Sequence, residues 1–330
     1  MKASAPATVK LFGEHAVVYG RLSLAVAVDL YAQAEVTEIE SGIELVLEDL
    51  AKRQSFTGRQ LLGLYESFMS RKSIADYLAS NSGLGLLPFA TMLAVIYAEY
   101  GIEGKRIRLS SQIPMQKGFG SSAAIATAIA TALLAGGEKD RGIIEAARTS
   151  EIVMHKSEGA GKIDIPTSYF GGFVSYSQKE GARRLDISTN LNLIAIDTGP
   201  KKSTAETVGH VAELYQQDKK GVEQIFDKIE GCTKRGIKSL EEGNVAEVGR
   251  LMYENQEYLA RLGVSSEGLD KAIAIAKEKG SPGAKLSGGG GGGMAIAINS
   301  ANLKTALESA GFKCQELKVS FKGAKNLLSS

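Results

Sequence analysis

Lys117-Gly118-Phe119-Gly120-Ser121-Ser122-Ala123-Ala124, entered by Pro114, is a glycine-serine turn that runs straight into an alanine-rich stretch. Glycine lets backbone N–H groups turn toward a ligand with no Cβ in the way. The helix that follows presents unpaired N–H groups and the positive end of its dipole. Together these make an anion site, phosphate above all. The Ser122 hydroxyl adds a ligand suited to Mg²⁺. Taken alone, the string fits an ordinary capped helix after a glycine turn equally well.

Two further motifs flank it. Lys285-Leu286-Ser287 leads into the glycine run Gly288–Gly293, and Met294-Ala295-Ile296-Ala297-Ile298 follows. A dinucleotide-binding fingerprint needs strand, glycines, then helix. Here a strand pattern follows the glycines, so a strand–glycine loop–strand hairpin is the better reading. Such a loop serves as a plain turn or as a point of close backbone approach to a phosphate. Near the start, Ala5-Pro6-Ala7-Thr8-Val9-Lys10-Leu11-Phe12 is an apolar strand pattern that ends at Gly13-Glu14-His15. A carboxylate beside an imidazole at a strand end suits a polar ligand; surface decoration or a satisfied core histidine is the commoner meaning. No G-x-x-x-x-G-K-S/T run occurs, so any nucleotide must be held on another scaffold than the P-loop.

The 330 residues exceed what one compact core usually holds, so two domains are expected, 1–182 and 183–330. The glycine-arginine stretch 181–184 marks the boundary between them. Hydrophobic residues make up 44% and charged residues 23%, which suits a packed globular chain. A net charge of +2 gives no electrostatic case for nucleic acid or an anionic membrane. The two cysteines, Cys232 and Cys314, form no CxxC pair, and the N-terminus shows no apolar signal core. The expected location is the cytoplasm. Periodicity predicts strands over 4–12, 22–36, 43–48, 105–111, 171–177, 191–197, 284–287, 293–299 and 314–320. It predicts helices over 58–79, 86–100, 121–134, 140–156, 203–215, 219–239, 244–261, 266–278 and 302–310.

The three motifs, in this order, resemble the GHMP kinases: a strand-one motif, a central P-x-x-x-G-L/F-G-S-S-A-A loop, and a C-terminal K-L-S/T-G-x-G-G-G-G loop. The resemblance runs from residue 5 to residue 294, and the triple is specific. Leu11-Phe12-Gly13-Glu14-His15-Ala16-Val17-Val18-Tyr19-Gly20 is similar to the mevalonate kinase branch in particular. The resemblance implies an α+β two-domain fold, with an N-terminal ribosomal-protein-S5-like α/β domain and a C-terminal ferredoxin-like domain. It implies ATP and Mg²⁺ as cofactors, mevalonate as the small-molecule substrate, and a homodimer. Gly118, Phe119, Gly120, Ser121 and Ser122 would wrap the ATP phosphates. Ser111 matches a serine near the nucleotide, Gly290 would brace the phosphate loop, and Lys117 lies beside it. Ser122 and Glu151 match the Mg²⁺ ligands, and Asp164 matches the catalytic aspartate. Glu14, His15, Lys202 and Thr204 match substrate-side positions.

One departure stands out. The family carries Ala-Pro-Gly-Lys where this chain has Ala5-Pro6-Ala7-Thr8, so Thr8 occupies the catalytic lysine position. Lys10 lies two residues on, on the same face of a strand and roughly 6.6 Å away. Lys10 is expected either to lean back and supply the missing charge or to face solvent. The segment 157–164 also carries about two residues more than the family pattern. Two rivals remain at this level: a sister kinase acting on phosphomevalonate or another alcohol, and a non-catalytic sensor on the same fold. The retained Asp164, Glu151 and Ser122 disfavour the sensor.

Overall fold

The computed structural model describes residues 1–114, 117–134, 140–200 and 204–327. Its strands are β1 (Lys2–Phe12), β2 (Ser23–Glu38), β3 (Ile43–Leu47), β4 (Lys52–Phe56), β5 (Lys105–Ser111), β6 (Phe173–Ser177), β7 (Gly181–Arg184), β8 (Asn192–Asp197), β9 (Ala284–Leu286), β10 (Met294–Ile298), β11 (Lys313–Lys318) and β12 (Lys325–Leu327). Its helices are α1 (Gly58–Met69), α2 (Ile74–Ser80), α3 (Leu87–Tyr100), α4 (Ser121–Leu134), α5 (Asp140–His155), α6 (Asp164–Phe170), α7 (Thr204–Gln217), α8 (Lys219–Glu241), α9 (Val245–Arg261), α10 (Glu267–Glu278) and α11 (Leu303–Ser309).

Two sheets organise these elements. The first runs β12-β1-β2-β5-β3-β4, with β6 on β2 and β7 on β6. Strand β2 is long enough to serve two neighbours on one side: Ser23–Val26 pair with β6 and Ala32–Glu38 with β5. The second sheet runs β11-β8-β10-β9, all antiparallel. This is the mixed α+β, two-sheet architecture that the resemblance implies.

Strand β1 lies deep in the molecule. Residues 3–9 are all buried, so the alternation expected of a half-exposed strand is absent. Helix α4 packs on β1 and β2, and α8 and α9 also reach β1. Ala3, Ala5 and Ala7 have no exposed surface, and their small side chains let neighbours approach closely. Helix α4 is itself buried all round from Ala126 to Leu134, which explains its unbroken alanine-rich, apolar sequence.

Local chemistry accounts for the places where structure and periodicity differ. The stretch 58–79 is two helices, not one. Thr57 starts α1 with a reciprocal capping box to Gln60, and Ser73 starts α2 by accepting from the Asp76 N–H. That serine cap diverts the chain although the apolar spacing continues past it. Residues 181–184, read as a boundary, form β7 on the edge of the first sheet. The tail returns as β12 beside β1, with Ser4 paired to Lys325. The first sheet therefore draws on chain beyond residue 183. Among the described residues, no helix is long and apolar enough to cross a membrane.

The two sheets are stitched together around the end of β1. The Ser287 hydroxyl, just after β9, accepts from the Lys10 N–H and donates to the Lys10 carbonyl, both at 3.1 Å. Lys285 and Glu14 form an ion pair with side chains 0% and 1% exposed. Tyr19 packs against Tyr215 and Phe226 with centroids 4.6 Å away in each case, and Arg21 pairs with Glu223 and Asp227 of α8. A buried charge left without its partner is costly. Lys285→Met is therefore expected to lower unfolding free energy by about 3–5 kcal/mol, whereas Glu14→Gln/Lys285→Met recovers most of that loss. Urea unfolding of both variants checks it, and equal destabilisation of the two would count against the pairing.

Candidate active site

The turn before α4 is built on two glycines in left-handed conformations, Gly118 at φ 88° and Gly120 at φ 60°. A Cβ on Gly120 would collide with the Thr8 hydroxyl, so glycine is required there by space as well as by φ. The Thr8 N–H donates to the Phe119 carbonyl at 2.9 Å, which fastens the turn to β1. Phe119 is buried as the anchor. The first N–H groups of α4 open beyond Gly120, whose carbonyl accepts from Ala124 N–H at 2.9 Å.

Asp164 sits at the first position of α6. The Ser168 hydroxyl of the same helix donates to the Pro6 carbonyl at 2.7 Å, which docks α6 on β1. Lys10 Nζ lies 2.9 Å from Asp164 Oδ2 and 3.2 Å from Oδ1. The Thr8 hydroxyl donates to Oδ1 at 3.0 Å. The lysine does lean back along its strand, and threonine and lysine converge on one carboxylate. Their side chains are not sealed off: Lys10 is 25% and Asp164 20% exposed. Burial pushes the Asp164 carboxyl up, but the Lys10 ammonium and the Thr8 hydroxyl outweigh it, and the net shift is below the usual range. Burial likewise pushes Lys10 down, and Asp164, with Glu14 and Glu151 behind it, holds it above the usual lysine value. Asp164 is thus a carboxylate at neutral pH.

Glu151 lies on α5 and is 2% exposed. Its Oε2 lies 3.3 Å from His155 Nε2, one turn on, and this contact raises the His155 pKa. Its Oε1 is buried with no hydrogen-bond partner, and so is the Ser121 hydroxyl at the head of α4. Ser122, beside it, is half-buried. Buried oxygens that meet no donor are costly unless a ligand engages them. A hard cation suits such oxygens. Among the described residues no cluster of three or more His, Cys, Asp or Glu could hold a metal by itself. Mg²⁺ needs no such cluster, because it takes one or two protein oxygens together with phosphate and water.

The glycine-rich hairpin reaches the turn before α4. A Cβ at Gly118 would touch Ser287 and Met294, the residues on either side of the glycine run. Gly290, at φ 73°, is pressed against the Val264 carbonyl, and the next N–H, from Gly291, donates to it at 2.8 Å. Gly290 therefore anchors its own loop on the α9–α10 connection. Lys117 pairs with Asp197 at the end of β8, at 2.8 Å, and is 42% exposed. Ser111 ends β5: its N–H donates to Asp49 Oδ2 at 2.8 Å and its hydroxyl accepts from Ile113 N–H at 3.1 Å.

On the expected substrate side, Glu14 and His15 both turn toward the second sheet. One Glu14 oxygen meets Lys285, and the other, Oε2, is buried with no partner. His15 has φ 60°, an unfavourable conformation for a side chain of its size, and its Nε2 lies 2.9 Å from the Gly289 carbonyl. A carbonyl only accepts, so Nε2 carries the hydrogen. Burial holds the ring below the usual histidine pKa. The imidazole is therefore neutral, with Nδ1 left as an acceptor. Lys202 lies outside the described residues, and Thr204 opens α7 with its side chain likewise outside them. Lys285, Ser287 and the Thr8 hydroxyl were given no role from sequence. Lysine between Ala284 and Leu286 in a strand pattern was the available signal for Lys285, since such a residue must be paired when buried.

The chain resembles known proteins along nearly its whole length. Residues 88–172 match the GHMP kinases N terminal domain and residues 237–313 the GHMP kinases C terminal domain. The chain is 32% identical to the mevalonate kinase of Pyrococcus abyssi over 336 aligned positions, covering 98% of this chain and 96% of the relative. It is 33% identical to the mevalonate kinase of Pyrococcus horikoshii, covering 94% and 92%. The crystal structure of the Methanococcus jannaschii mevalonate kinase superposes with a TM-score of 0.79 at 27% identity, over 97% of this chain and 98% of that one. With both family domains matched and full-length relatives above 30% identity, the chain belongs to the GHMP kinase family, in its mevalonate kinase branch.

Proposed function

We propose that this chain transfers the γ-phosphoryl group of ATP, with Mg²⁺, to the 5-hydroxyl of (R)-mevalonate, giving 5-phosphomevalonate. The observation that carries the reading is the meeting of Asp164 and Lys10 directly beside the Phe119–Gly120 turn. A carboxylate and an ammonium then border the place where a helix N-terminus would hold a phosphate. The kinship with mevalonate kinases along nearly the whole chain supports the choice of alcohol.

Phosphoryl transfer asks the protein mainly for positioning and charge stabilisation. The ATP phosphates are assigned to the N–H groups of Gly118–Ser122 and the head of α4. By family position Ser122 and Glu151 would hold Mg²⁺, and the unpartnered Glu151 Oε1 is an oxygen free to do so. Bound Mg²⁺ supplies charge neutralisation across the phosphate oxygens. Asp164, held as a carboxylate, orients the substrate hydroxyl and takes its proton as transfer proceeds. Lys10, next to it, offsets charge growing on the transferred group. Glu14 Oε2 and His15 Nδ1 are both acceptors and fit the hydroxyl groups of the substrate. Neither donates, so the substrate carboxylate is left to Lys202 and Thr204. A second carboxylate-lined subsite also disfavours a phosphorylated substrate, which Glu14 would repel. Lys117, engaged by Asp197, would have to exchange partners to reach a phosphate. The family likeness further suggests a homodimer working in the cytoplasm, which light scattering and cell fractionation test.

A coupled ADP-release assay over mevalonate, phosphomevalonate, homoserine and galactose is expected to give turnover with mevalonate; turnover with phosphomevalonate alone would replace the substrate. Lys10→Ala is expected to lower kcat on the order of 10²-fold with a smaller change in KM. Unchanged turnover in that variant would remove Lys10 from the mechanism. Glu151→Gln is expected to raise the Mg²⁺ concentration needed for half-maximal rate about tenfold or more, measured by titrating the metal at fixed ATP.

A further inference from the structure

We propose that Thr8 is a positioning residue of the reaction, its hydroxyl setting the orientation of the Asp164 carboxylate against the phosphate loop. Three contacts carry this, and they tie β1 to two distant parts of the chain. The hydroxyl donates to Asp164 Oδ1 at 3.0 Å, across 156 residues of sequence. The N–H of the same residue donates to the Phe119 carbonyl at 2.9 Å. The side chain also fills the space in which Gly120 would carry a Cβ. Thr8 is 1% exposed, so its hydroxyl has no competing solvent partner. A single residue thus fixes the distance between the group that meets the substrate alcohol and the turn assigned to the phosphates.

Its partner Lys10 contributes charge to the same carboxylate but cannot fix its direction alone. An ammonium on a four-carbon stem is a rotatable point charge, and both Asp164 oxygens lie within its reach. A hydroxyl on a short β-branched side chain, held in a strand, is stiff at χ1. It engages Oδ1 only, which leaves Oδ2 to Lys10 and to an incoming hydroxyl. Where the family carries one lysine, this chain therefore uses two residues, with Lys10 bringing the charge and Thr8 the geometry. The groups facing Asp164 are Thr8 and Lys10 from β1 and the His155 imidazole from α5. Glu14 and Glu151 act on it at one remove, through Lys10.

This inference rests on Asp164 being the residue that meets the alcohol, so the experiment measures Asp164→Asn beside Thr8→Val and Thr8→Ser. The readouts are kcat, KM for ATP and for mevalonate, and the pH dependence of kcat, with melting temperature as the check on folding. Valine keeps the shape and the N–H while removing the hydroxyl. Thr8→Val is expected to lower kcat about tenfold, the loss of one hydrogen bond to a charged group. KM for ATP should stay within about twofold, because the Phe119 contact is made by backbone. Losing a donor to the ionised form lets the Asp164 pKa rise, so the acid limb should move up by about one pH unit. The His155 imidazole and Lys10 are present in every variant and do not distinguish them. Thr8→Ser should restore kcat and the acid limb to near the parent values. Should Thr8→Val fail to fold, Thr8→Ala takes its place with the same expectations. If Asp164→Asn is inactive while Thr8→Val keeps the parent kcat and acid limb, the role of Thr8 is refuted and that of Asp164 stands. If Thr8→Val and Thr8→Ser fall equally with no movement of the limb, Thr8 acts by packing alone and the proposal is wrong. If Asp164→Asn retains activity, the reading of the site itself fails.

Discussion

The contact between β1 and the start of α6, where Lys10 and Thr8 close on Asp164, is the constraint on which the rest of the site depends. It brings together residues more than 150 positions apart, and nothing local to either segment would hold them there. The loop-closure cost of that meeting is met by burial around it. Residues 3–9 of β1 are enclosed, α4 lies on β1, and α6 is fastened to the Pro6 carbonyl by Ser168. Moving β1 relative to α4 would disturb the glycine turn and the carboxylate together, because Thr8 bonds to both.

The same strand is also the junction of the two halves. The Ser287 hydroxyl satisfies both backbone groups of Lys10, so the glycine-rich hairpin is registered on the residue that carries the ammonium. A few residues on, Glu14 is fixed by Lys285 and His15 by the Gly289 carbonyl. Buried ion pairs of this kind add little net stability but penalise alternatives heavily. Here the Lys285–Glu14 pair ties the strand that leads into the glycine-rich hairpin to the end of β1. A free carboxylate oxygen on Glu14 and an acceptor nitrogen on His15 are left in place by that arrangement.

Electrostatics within the site follows from this crowding. Desolvation acts against the charged forms of both Asp164 and Lys10, yet each ends shifted toward its charged form because the other lies 2.9 Å away. The pair stays open enough to solvent for a substrate to reach it. The Ser121 hydroxyl and Glu151 Oε1 are each buried without a hydrogen-bond partner, and each is an oxygen of the kind a hard cation takes. A carboxylate–ammonium pair beside the turn that opens α4 is a workable frame for moving a phosphoryl group.

Much of this was legible in the residues themselves. Glycine, serine and alanine at 118–124 encode a turn and a helix through local backbone preference. The apolar periods of 22–36, 121–134 and 244–261 encode elements that the structure contains as β2, α4 and α9. Set against the family's Ala-Pro-Gly-Lys pattern, the register of Pro6 and Leu11–His15 singled out Thr8 and Lys10. Sequence could not say which way Lys10 points, that Asp164 opens a helix, that Glu14 turns to Lys285, or that residues 325–327 return to β1. The physical reason is the same in each case. Local preference and burial period are written within a few residues of one another. A side chain's partner across 154 or 271 positions is settled only when the chain has folded and the packing of other elements leaves one place for the charge to go.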